Sequence, residues 1–349
     1  MRMRSLTPTL FLVTAACGGA LRLPESKVPV CVEPSVARTA WQNPLSHLAV
    51  ATGEPVHSGE DVVIQPGAAV TLAGKFAYGP TSKDLEYEAV TAFLEDDPAG
   101  CSWSRLDTVL TDSDGRATVQ VPGGALTAPG MYQFRFVVHG DQSEATARVW
   151  VVEPGTKAVL FDIDGTLTRA DLELVGDAVV FTVGSSSELL FELAGSPLSR
   201  TQWMFGLERV VNEPQAHEGA FELAHRWASQ GYLPIYVTGR PYLFDAITRR
   251  WLDEHLPAGP LFLTHGVEES MPSGVVAYKR DTITHLSAVG IEFEAAYGNA
   301  ATDVCAYAEA GLDPSATYII GELGGTACPG YGPTQAVESY PEHMASMPY

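Results

Sequence analysis

Residues 159–168 read Val159-Leu160-Phe161-Asp162-Ile163-Asp164-Gly165-Thr166-Leu167-Thr168, a short apolar run that passes directly into two aspartates. An apolar run of this kind is typical of a strand that is buried on both faces of a parallel sheet. A carboxylate at the end of such a strand is costly to bury unless a metal ion or hydrogen bonds compensate for its charge. The alternative, an acidic turn at the surface, leaves the preceding apolar residues unexplained. The stretch therefore predicts a charged functional site at the carboxyl end of a buried strand.

The chain around this stretch, from residue 156 to residue 349, alternates apolar runs with amphipathic segments of helical length. The predicted strands are 158–161, 233–237, 261–263, 294–297 and 317–320, and the predicted helices include 217–230, 241–255, 279–289 and 301–311. This alternation predicts an α/β domain in which helices cover both faces of a parallel sheet. Residues 169–216 are an insertion behind the first strand. We expect its apolar residues to pack in the core or, alternatively, to form a small lid or an apolar surface.

Residues 57–153 carry a different pattern, in which short alternating strands are separated by turns rich in glycine and proline. In the clearest strand, residues 131–137, the side chains of Tyr132, Phe134 and Phe136 share one face. About seven such runs over one domain length predict an immunoglobulin-like β-sandwich. The proline-rich residues 18–56 before it are expected to form a tether with some ordered parts.

The composition limits the class of protein and its partners. With 46% hydrophobic and 18% charged residues, the 349-residue chain is expected to be globular and long enough for two domains. Its 21 basic and 42 acidic side chains give a formal net charge of −21. A nucleic-acid backbone requires a basic footprint, so no nucleic-acid partner is expected.

The first seventeen residues have the features of an export signal. Arg2 and Arg4 precede the apolar run 10–13, and small residues lead to Cys17. The segment resembles a bacterial lipoprotein signal peptide, in which Cys17 would be lipidated. Cleavage after Ala16 without lipidation is the alternative. The segment predicts an exported protein of the bacterial cell envelope or periplasm, associated with the membrane through the lipid on Cys17.

Four further cysteines follow, Cys31, Cys101, Cys305 and Cys328. In an oxidising compartment they can form disulfides, and pairing within each half of the chain, 31 with 101 and 305 with 328, is the simplest arrangement. Buried free thiols are the alternative.

Three later motifs place polar residues at the ends of predicted strands or the starts of predicted helices. Strand 233–237 runs into Thr238-Gly239-Arg240, where Thr238 can donate a hydrogen bond to a phosphoryl oxygen and Gly239 lets the backbone approach. Arg240 either reaches a substrate phosphate or lies at the surface. Lys279 opens a predicted helix, and Asn299 and Asp303 follow another strand. Because parallel strands end at one edge of a sheet, we expect these residues to form one site.

The DxDGT sequence at 162–166, followed in order by the later motifs, resembles the first motif of the haloacid dehalogenase superfamily. The resemblance implies a phosphatase in which Asp162 attacks phosphorus and forms an aspartyl-phosphate. It implies that Asp164 protonates the leaving alkoxide and then deprotonates the attacking water.

The same resemblance implies how the phosphoryl group and a metal ion would be held. Thr238, Gly239 and Lys279 would bind the phosphoryl group. A Mg²⁺ ion would be bound by Asp162, by the backbone carbonyl of Asp164 and by Asp303. Asn299 stands where many members of the superfamily have a second aspartate, and it would act through its amide oxygen.

Roughly residues 157–325 are similar to the catalytic domain of lipins, the phosphatidate phosphatases, and to the related C-terminal domain of membrane-associated phosphatidylinositol transfer proteins. Residues 162–168 and 298–307 carry the first likeness, and residues 237–241 carry the second. The resemblance implies Mg²⁺-dependent hydrolysis of a phospholipid such as phosphatidate to diacylglycerol and phosphate. A phosphatase of small soluble phosphomonoesters and a non-catalytic phosphatidate-binding module are the alternatives. The intact pair of Asp162 and Asp164 argues against a pure binding module.

Overall fold

A computed structural model describes residues 33–79, 81–96, 102–169, 214–266, 269 and 272–347, and residues 32–349 form one compact unit. Several predictions from the sequence fall on other residues. The predicted signal peptide with Cys17, the cysteines Cys31 and Cys101, and residues 170–213 of the insertion lie outside the described residues.

The first half of the described chain is a β-sandwich, as the alternating pattern predicted. Its strands are β1 Ser58–Gly59, β2 Val62–Ile64, β3 Val70–Lys75, β4 Ala77–Tyr78, β5 Lys83–Asp84, β6 Ala89–Glu95, β7 Trp103–Leu110, β8 Arg116–Val121, β9 Gly130–Val138 and β10 Glu144–Val151. One sheet has the order β1-β3-β8 and the other has the order β2-β10-β9-β6-β7. Tyr132, Phe134 and Phe136 are buried between the sheets, because alternate residues of β9 point to the same face.

Part of the segment predicted as a tether packs on this sandwich. Its one helix among the described residues, α1, covers Ser46–Val50. The buried carboxylate of Glu88 accepts hydrogen bonds from the amides of Gln42 and Asn43 and from the hydroxyl of Ser46. Three donors on one carboxylate fix residues 42–46 beside the start of β6 in the five-stranded sheet.

The second half is an α/β domain built on a parallel sheet. Its elements are β11 Thr156–Phe161, α2 Ala220–Ser229, β12 Leu233–Pro241, α3 Asp245–His255, β13 Leu261–Thr264, α4 Pro272–Val289, β14 Ile291–Gly298, α5 Ala301–Glu309, β15 Thr317–Ile320, β16 Gln335–Val337 and α6 Tyr340–Ser346. Short 3₁₀ helices cover Tyr242–Phe244 and Pro314–Ala316. The strand order is β13-β12-β11-β14-β15-β16, and every neighbouring pair is parallel.

Both faces of this sheet are covered, so the predicted fold class is confirmed. In β11, Val159 and Phe161 pack with α2, α3 and α6, whereas Ala158 and Leu160 pack with α4 and α5. The central strand is therefore apolar at consecutive positions. It ends at the edge of the sheet directly before Asp162.

Four details of the α/β domain differ from the sequence prediction. Strand β12 continues to Pro241, so Thr238, Gly239 and Arg240 lie within it rather than after it. Helix α4 begins at Pro272 rather than at residue 279, so Lys279 lies inside the helix instead of opening it. Strand β16 and helix α6 were not predicted, because both are short and follow a glycine-rich stretch.

Cys305 and Cys328 form a disulfide, as predicted for this half of the chain. The bond joins α5 to the loop between β15 and β16. No helix in the described parts of the chain is long and apolar enough to cross a membrane.

Candidate active site

Three charged side chains meet, fully buried, at the carboxyl edge of the parallel sheet. Lys279 Nζ donates to Asp162 Oδ1 at 2.9 Å and to Asp303 Oδ1 at 2.8 Å. Asp162 follows β11, Asp303 lies in the first turn of α5, and Lys279 reaches them from α4. A lone ammonium or carboxylate would be strongly destabilised without solvent, whereas each charge here has an opposite charge at hydrogen-bond distance.

The approach of Asp303 depends on a glycine at the end of β14. A Cβ atom at Gly298 would lie 2.6 Å from the Cβ of Asp303, which is closer than real atoms pack. Asp303 Oδ2 also accepts hydrogen bonds from the amides of Asn299 and Ala300, at 3.0 and 3.1 Å. These amides precede α5, where a carboxylate is stabilised by the free N–H groups of the helix start.

A second glycine lets the loop after β11 approach Asn299. Gly165 has φ of +73°, and a Cβ there would lie 2.1 Å from Asn299 Nδ2. Thr166 Oγ1 lies 2.8 Å from Asp162 Oδ2 and 3.0 Å from Asn299 Oδ1. The DxDGT sequence thus supplies a carboxylate, the turn that exposes it and a hydroxyl that orients it.

Asp164 is held by a different cation. Arg240 donates to it with two nitrogens, Nε to Oδ2 at 2.8 Å and Nη2 to Oδ1 at 2.7 Å. Thr238 Oγ1 also donates to Asp164 Oδ2 at 3.1 Å. The third arm of the guanidinium, Nη1, donates to Thr248 Oγ1 of α3 at 3.0 Å. Two parallel N–H···O bonds fix the plane of the carboxylate as well as its position.

Helix α6 and the segment before α2 support the loop from behind. Tyr340 donates its hydroxyl to the carbonyl of Thr166 at 2.9 Å, and burial raises the pKa of Tyr340 well above its usual range. His217 Nε2 lies 3.1 Å from the carbonyl of Gly165, and burial lowers the pKa of this imidazole. The neutral ring is therefore favoured as the donor to that carbonyl.

The two ends of the insertion meet beside this loop. The amide of Arg169 donates to the carbonyl of Gln215 at 2.7 Å, and Thr168 forms an antiparallel bridge with Ala216. The chain therefore leaves the loop and returns to it at neighbouring backbone positions.

The structure brings the predicted site residues together at one edge of the sheet, in two groups. Asp162, Lys279, Asp303 and Asn299 form the first group, and Asp164 with Thr238 forms the second. Gly239 follows Thr238 within β12, and its carbonyl lies 3.4 Å from the hydroxyl of Thr264.

Sequence reasoning left the place of Arg240 open and missed two supporting residues. The surface position considered for Arg240 is wrong, because this side chain is only 3% exposed. Neither Thr248 nor Tyr340 was predicted, since nothing in the local pattern of α3 or α6 distinguishes a supporting residue from an ordinary core residue. The one available signal was the position of Arg240 directly after a strand-end Thr-Gly.

The donor atoms of the first group are of the kind that binds magnesium. Among the described residues, no group of three or more His, Cys, Asp and Glu side chains is arranged to hold a metal. The carboxylates of Asp162 and Asp303 both contact Lys279 Nζ, and Thr166 links Asp162 to the amide oxygen of Asn299. Mg²⁺ prefers hard oxygen donors and is usually bound by only one or two carboxylates.

Two family models match the chain. The model for the β-sandwich domain of the PITM 1-3 proteins matches residues 55–151, and the model for their LNS2 domain matches residues 191–321. The second match includes Thr238, Lys279 and Asp303 but begins after the DxDGT loop.

Full-length relatives match across both domains. Human membrane-associated phosphatidylinositol transfer protein 1 is 29% identical over 314 residues, covering 86% of this chain and 21% of the relative. The protein retinal degeneration B of Drosophila melanogaster is 26% identical over 293 residues, covering 83% of this chain and 20% of the relative. The chain thus spans about a fifth of the length of these curated relatives.

Solved structures similar to the α/β domain include two enzymes named for phosphoryl or halide chemistry. A phosphoserine phosphatase in apo form covers 55% of this chain and 100% of that chain, with a TM-score of 0.35 and 18% identity. A dehalogenase covers 56% of this chain and 99% of that chain, with a TM-score of 0.38 and 16% identity.

The comparisons overturn the predicted location. The relatives with long matches include human, mouse, rat and Drosophila proteins, and those named as transfer proteins are described as membrane-associated. The prediction of a bacterial cell-envelope or periplasmic protein is therefore wrong. It depended on residues 1–17 alone, where a short apolar run behind two arginines is a weak signal. No comparison supports a signal peptide or lipidation of Cys17.

The matching domains and the strand order agree with the resemblance inferred from the motifs. The β-sandwich precedes an α/β sheet in which the DxDGT loop follows the central strand. The chain is accordingly similar to the PITM 1-3 proteins in both its β-sandwich domain and its LNS2 domain.

Proposed function

We propose that this chain is a Mg²⁺-dependent phosphomonoesterase that acts through an aspartyl-phosphate on phosphatidate, giving diacylglycerol and phosphate. The observation that carries the proposal is the contact of one buried ammonium, Lys279, with both Asp162 and Asp303. An entering phosphoryl group would add further negative charge at this point. A fixed cation beside the attacking carboxylate offsets that charge in the transition state.

The proposed reaction has two displacements at phosphorus. In the first, an oxygen of Asp162 forms a bond to phosphorus, the ester P–O bond breaks, and the alkoxide of diacylglycerol takes a proton from Asp164. In the second, Asp164 removes a proton from water, the water oxygen bonds to phosphorus, and the bond to Asp162 breaks. In this structure Arg240 and Thr238 donate hydrogen bonds to Asp164, and these bonds orient its carboxylate.

Asp162, Asp303, the backbone carbonyl of Asp164 and Asn299 would hold the Mg²⁺ ion. When bound, the ion supplies positive charge that draws the phosphate monoester towards the carboxylate. Thr238, Gly239 and Lys279 would hold the phosphoryl oxygens, because they carry a hydroxyl, an unhindered backbone and an ammonium at the same sheet edge.

A lipid substrate is supported by the relatives rather than by the site. Eight curated matches include proteins named for phosphatidylinositol transfer, and their LNS2 domain is the part of the family that matches the α/β domain. A phosphate-monoester lipid offers the headgroup that a strand-end aspartate can attack.

A second candidate function, binding of phosphatidate without turnover, is favoured by one contact. Arg240 occupies both carboxylate oxygens of Asp164 at 2.7 and 2.8 Å. Two charge-assisted hydrogen bonds can hold the loop in place beside a bound phosphate without any proton transfer. A binding domain would need only this structural role.

Phosphate release tests these functions directly. The purified protein is incubated with phosphatidate in mixed micelles or with glycerol phosphate, with Mg²⁺ or with a chelator, and Asp162→Asn is the control variant. The proposal is supported if phosphate is released from phosphatidate but not from glycerol phosphate, and if this release is lost with the chelator and in Asp162→Asn. Release from glycerol phosphate at an equal or higher rate assigns the protein to small soluble monoesters. Binding of phosphatidate vesicles without release of phosphate from either substrate supports the binding function.

A further inference from the structure

One buried carboxylate of the β-sandwich holds two elements of the α/β domain. Asp61 is 5% exposed and lies between β1 and β2. Its Oδ2 accepts a hydrogen bond from the amide of Leu261, the first residue of β13, at 2.9 Å. Its Oδ1 lies 2.9 Å from Nη1 of Arg249 in α3, and it also accepts from the amide of Arg148 at 2.8 Å. Asp61 therefore fixes the second turn of α3 and the edge strand of the sheet to the sandwich.

Helix α3 carries the contact to the candidate active site at the neighbouring position. Thr248 accepts a hydrogen bond from Arg240, and Arg240 forms the paired bonds to Asp164. Thr248, Arg249 and Asp245 are all buried. A displacement of this turn of the helix would move the hydroxyl that holds the third arm of the Arg240 guanidinium.

The interface around Asp61 is continuous with the core, so such a displacement is resisted. Val63 and Trp150 of the sandwich pack in the same apolar cluster as Ile283 and Leu286 of α4. A second ion pair across the interface, Arg148 with Asp253 at the far end of α3, is more open, since the Asp253 side chain is 44% exposed. The buried Asp61 contact lies next to the turn that supports Arg240, whereas Asp253 lies near the other end of the helix.

We propose that Asp61 is a positioning residue for the reaction. Through Arg249 and Thr248 it fixes Arg240, and through Arg240 it fixes the carboxylate plane of Asp164. The β-sandwich thereby acts as part of the catalytic scaffold. This inference rests on the proposed phosphatase function, because Asp164 is the group that is positioned.

The test is a double-mutant cycle on phosphate release. Asp61→Asn replaces one acceptor oxygen with an amide NH₂ group, which cannot accept the hydrogen bonds that reach Asp61. Thr248→Val removes the hydroxyl that accepts from Arg240 Nη1, at almost constant side-chain volume. Each variant is expected to lower kcat by roughly tenfold with KM unchanged, because a small misplacement of a reacting group is felt in the chemical step. The double variant is expected to match either single variant, since both act on one path. Thr248→Ser, which keeps the hydroxyl, is expected to restore kcat.

Asp253→Asn is the matched control, because it removes an acid from the same helix and the same interface. It is expected to keep the wild-type kcat. A folded Asp61→Asn variant with wild-type kcat would overturn the inference, as would losses in the two single variants that multiply in the double variant. Should Asp61→Asn fail to fold, Arg249→Lys takes its place in the same cycle, because it keeps the charge and gives up the planar fork.

Hydrogen exchange separates this inference from the proposed function. If the wild-type protein releases no phosphate, the proposed phosphatase is wrong, and backbone exchange in residues 238–248 decides the coupling alone. Faster exchange there in Asp61→Asn, with exchange in residues 317–337 unchanged, supports a path from Asp61 to Arg240. Equal exchange in both proteins rejects it.

Discussion

Two buried trios of charge in this molecule have the same composition and different geometry. At the domain interface Arg249 lies between Asp61 and Asp245, and at the sheet edge Lys279 lies between Asp162 and Asp303. Each trio has two carboxylates, one cation and almost no solvent. The difference between them is in the cation and in the kind of hydrogen-bond donor around it.

The arginine trio links secondary-structure elements of the two domains, whereas the lysine trio brings charged groups together at one edge of the sheet. Arg249 uses separate nitrogens of a rigid plane for its two partners, and Asp61 also accepts from two backbone amides. Lys279 offers a single nitrogen to both partners. Asp303 also accepts from two backbone amides, whereas Asp162 accepts from the hydroxyl of Thr166. The ammonium of Lys279 and the hydroxyl of Thr166 can change hydrogen-bond partner by rotating about single bonds. The planar guanidinium of Arg249 cannot change partner in this way, because its geometry is rigid and backbone amides also hold Asp61. The arginine trio is therefore suited to holding the fold together, and the lysine trio is suited to exchanging a partner for a ligand.

The largest effect is expected when the attacking oxygen of the lysine trio is removed. Asp162→Asn keeps the shape of the side chain but has no carboxylate to form an aspartyl-phosphate. We expect phosphate release to fall by at least about a thousandfold, because loss of a nucleophile removes the chemical step itself. Steady-state release from phosphatidate measures the change, with circular dichroism as the check of folding. Asp281→Asn is the matched control, because Asp281 is an exposed aspartate on α4. An Asp162→Asn variant that retains more than a tenth of the wild-type rate would show that Asp162 is not the nucleophile.

A large loss of stability is expected when the cation of the lysine trio is removed. Lys279→Met leaves Asp162 and Asp303 buried without the ammonium between them. Breaking a buried ion pair in this way costs about 3–5 kcal/mol of unfolding free energy. Urea unfolding with and without Mg²⁺ measures the loss, and we expect Mg²⁺ to recover part of it, because an added cation offsets the same carboxylates. Equal stability of the variant in both solutions would argue against a cation site here.

A somewhat smaller, pH-dependent loss is expected from the arginine trio. Arg249→Met leaves Asp61 and Asp245 without their cation, for a loss of about 3 kcal/mol at pH 8. Burial, with a smaller effect from the Asp61 charge, raises the pKa of Asp245 to about 6 even with Arg249 present. A carboxyl whose pKa is raised on folding takes up a proton, so its ionisation destabilises the fold as the pH rises through this value.

The loss in Arg249→Met should therefore be smaller at pH 5 than at pH 8. Urea unfolding at the two pH values measures this difference. The matched comparison is Arg148→Met, which removes an arginine from the more open interface pair with Asp253 and is expected to cost under about 1 kcal/mol at either pH. A loss in Arg249→Met that is independent of pH would show that Asp245 does not take up the proton.

The smallest effect concerns a buried imidazole in the sandwich, away from both trios. Burial lowers the pKa of His57 to about 4, and its Nδ1 accepts a hydrogen bond from the amide of Ala77. A histidine whose pKa is depressed on folding binds protons in the unfolded chain first, so stability falls as the pH drops from 6.5 towards 4. Between pH 7.5 and pH 5 the loss is about 2 kcal/mol.

His57→Asn keeps an acceptor near Nδ1 and should remove most of that pH dependence, as measured by thermal unfolding across the range. Replacing the exposed His225 by asparagine should leave the dependence in place. If both variants behave alike, the acid sensitivity has another source.

The fold and much of the site could be predicted because both depend on local patterns. Apolar runs that lead into Asp162, Thr238 and Gly298 identify where three strands approach their carboxyl ends, and parallel strands bring such ends to one edge. The start of α4 was placed too late, because Gly274 and the β-branched Val275 and Val276 weaken the helical pattern of its first turns.

The contacts that distinguish the two trios could not be predicted. Asp61 and Arg249 are 188 positions apart, and nothing in either neighbourhood of the sequence selects one for the other. Arg240 was singled out because it directly follows Thr238-Gly239, but its partner depends on where α3 packs relative to the edge of the sheet. Long-range pairs of this kind depend on how whole helices and strands pack against each other. That packing cannot be read from a single sequence.

The hydrogen bond between Arg169 and Gln215 has a consequence for how the family can diversify. The two ends of the insertion are joined by this bond and by the bridge between Thr168 and Ala216. The entropy of closing a loop between two such ends varies only slowly with the number of residues in the loop. The length of the chain between these ends can therefore change at small cost, while Asp162 keeps its place at the end of β11.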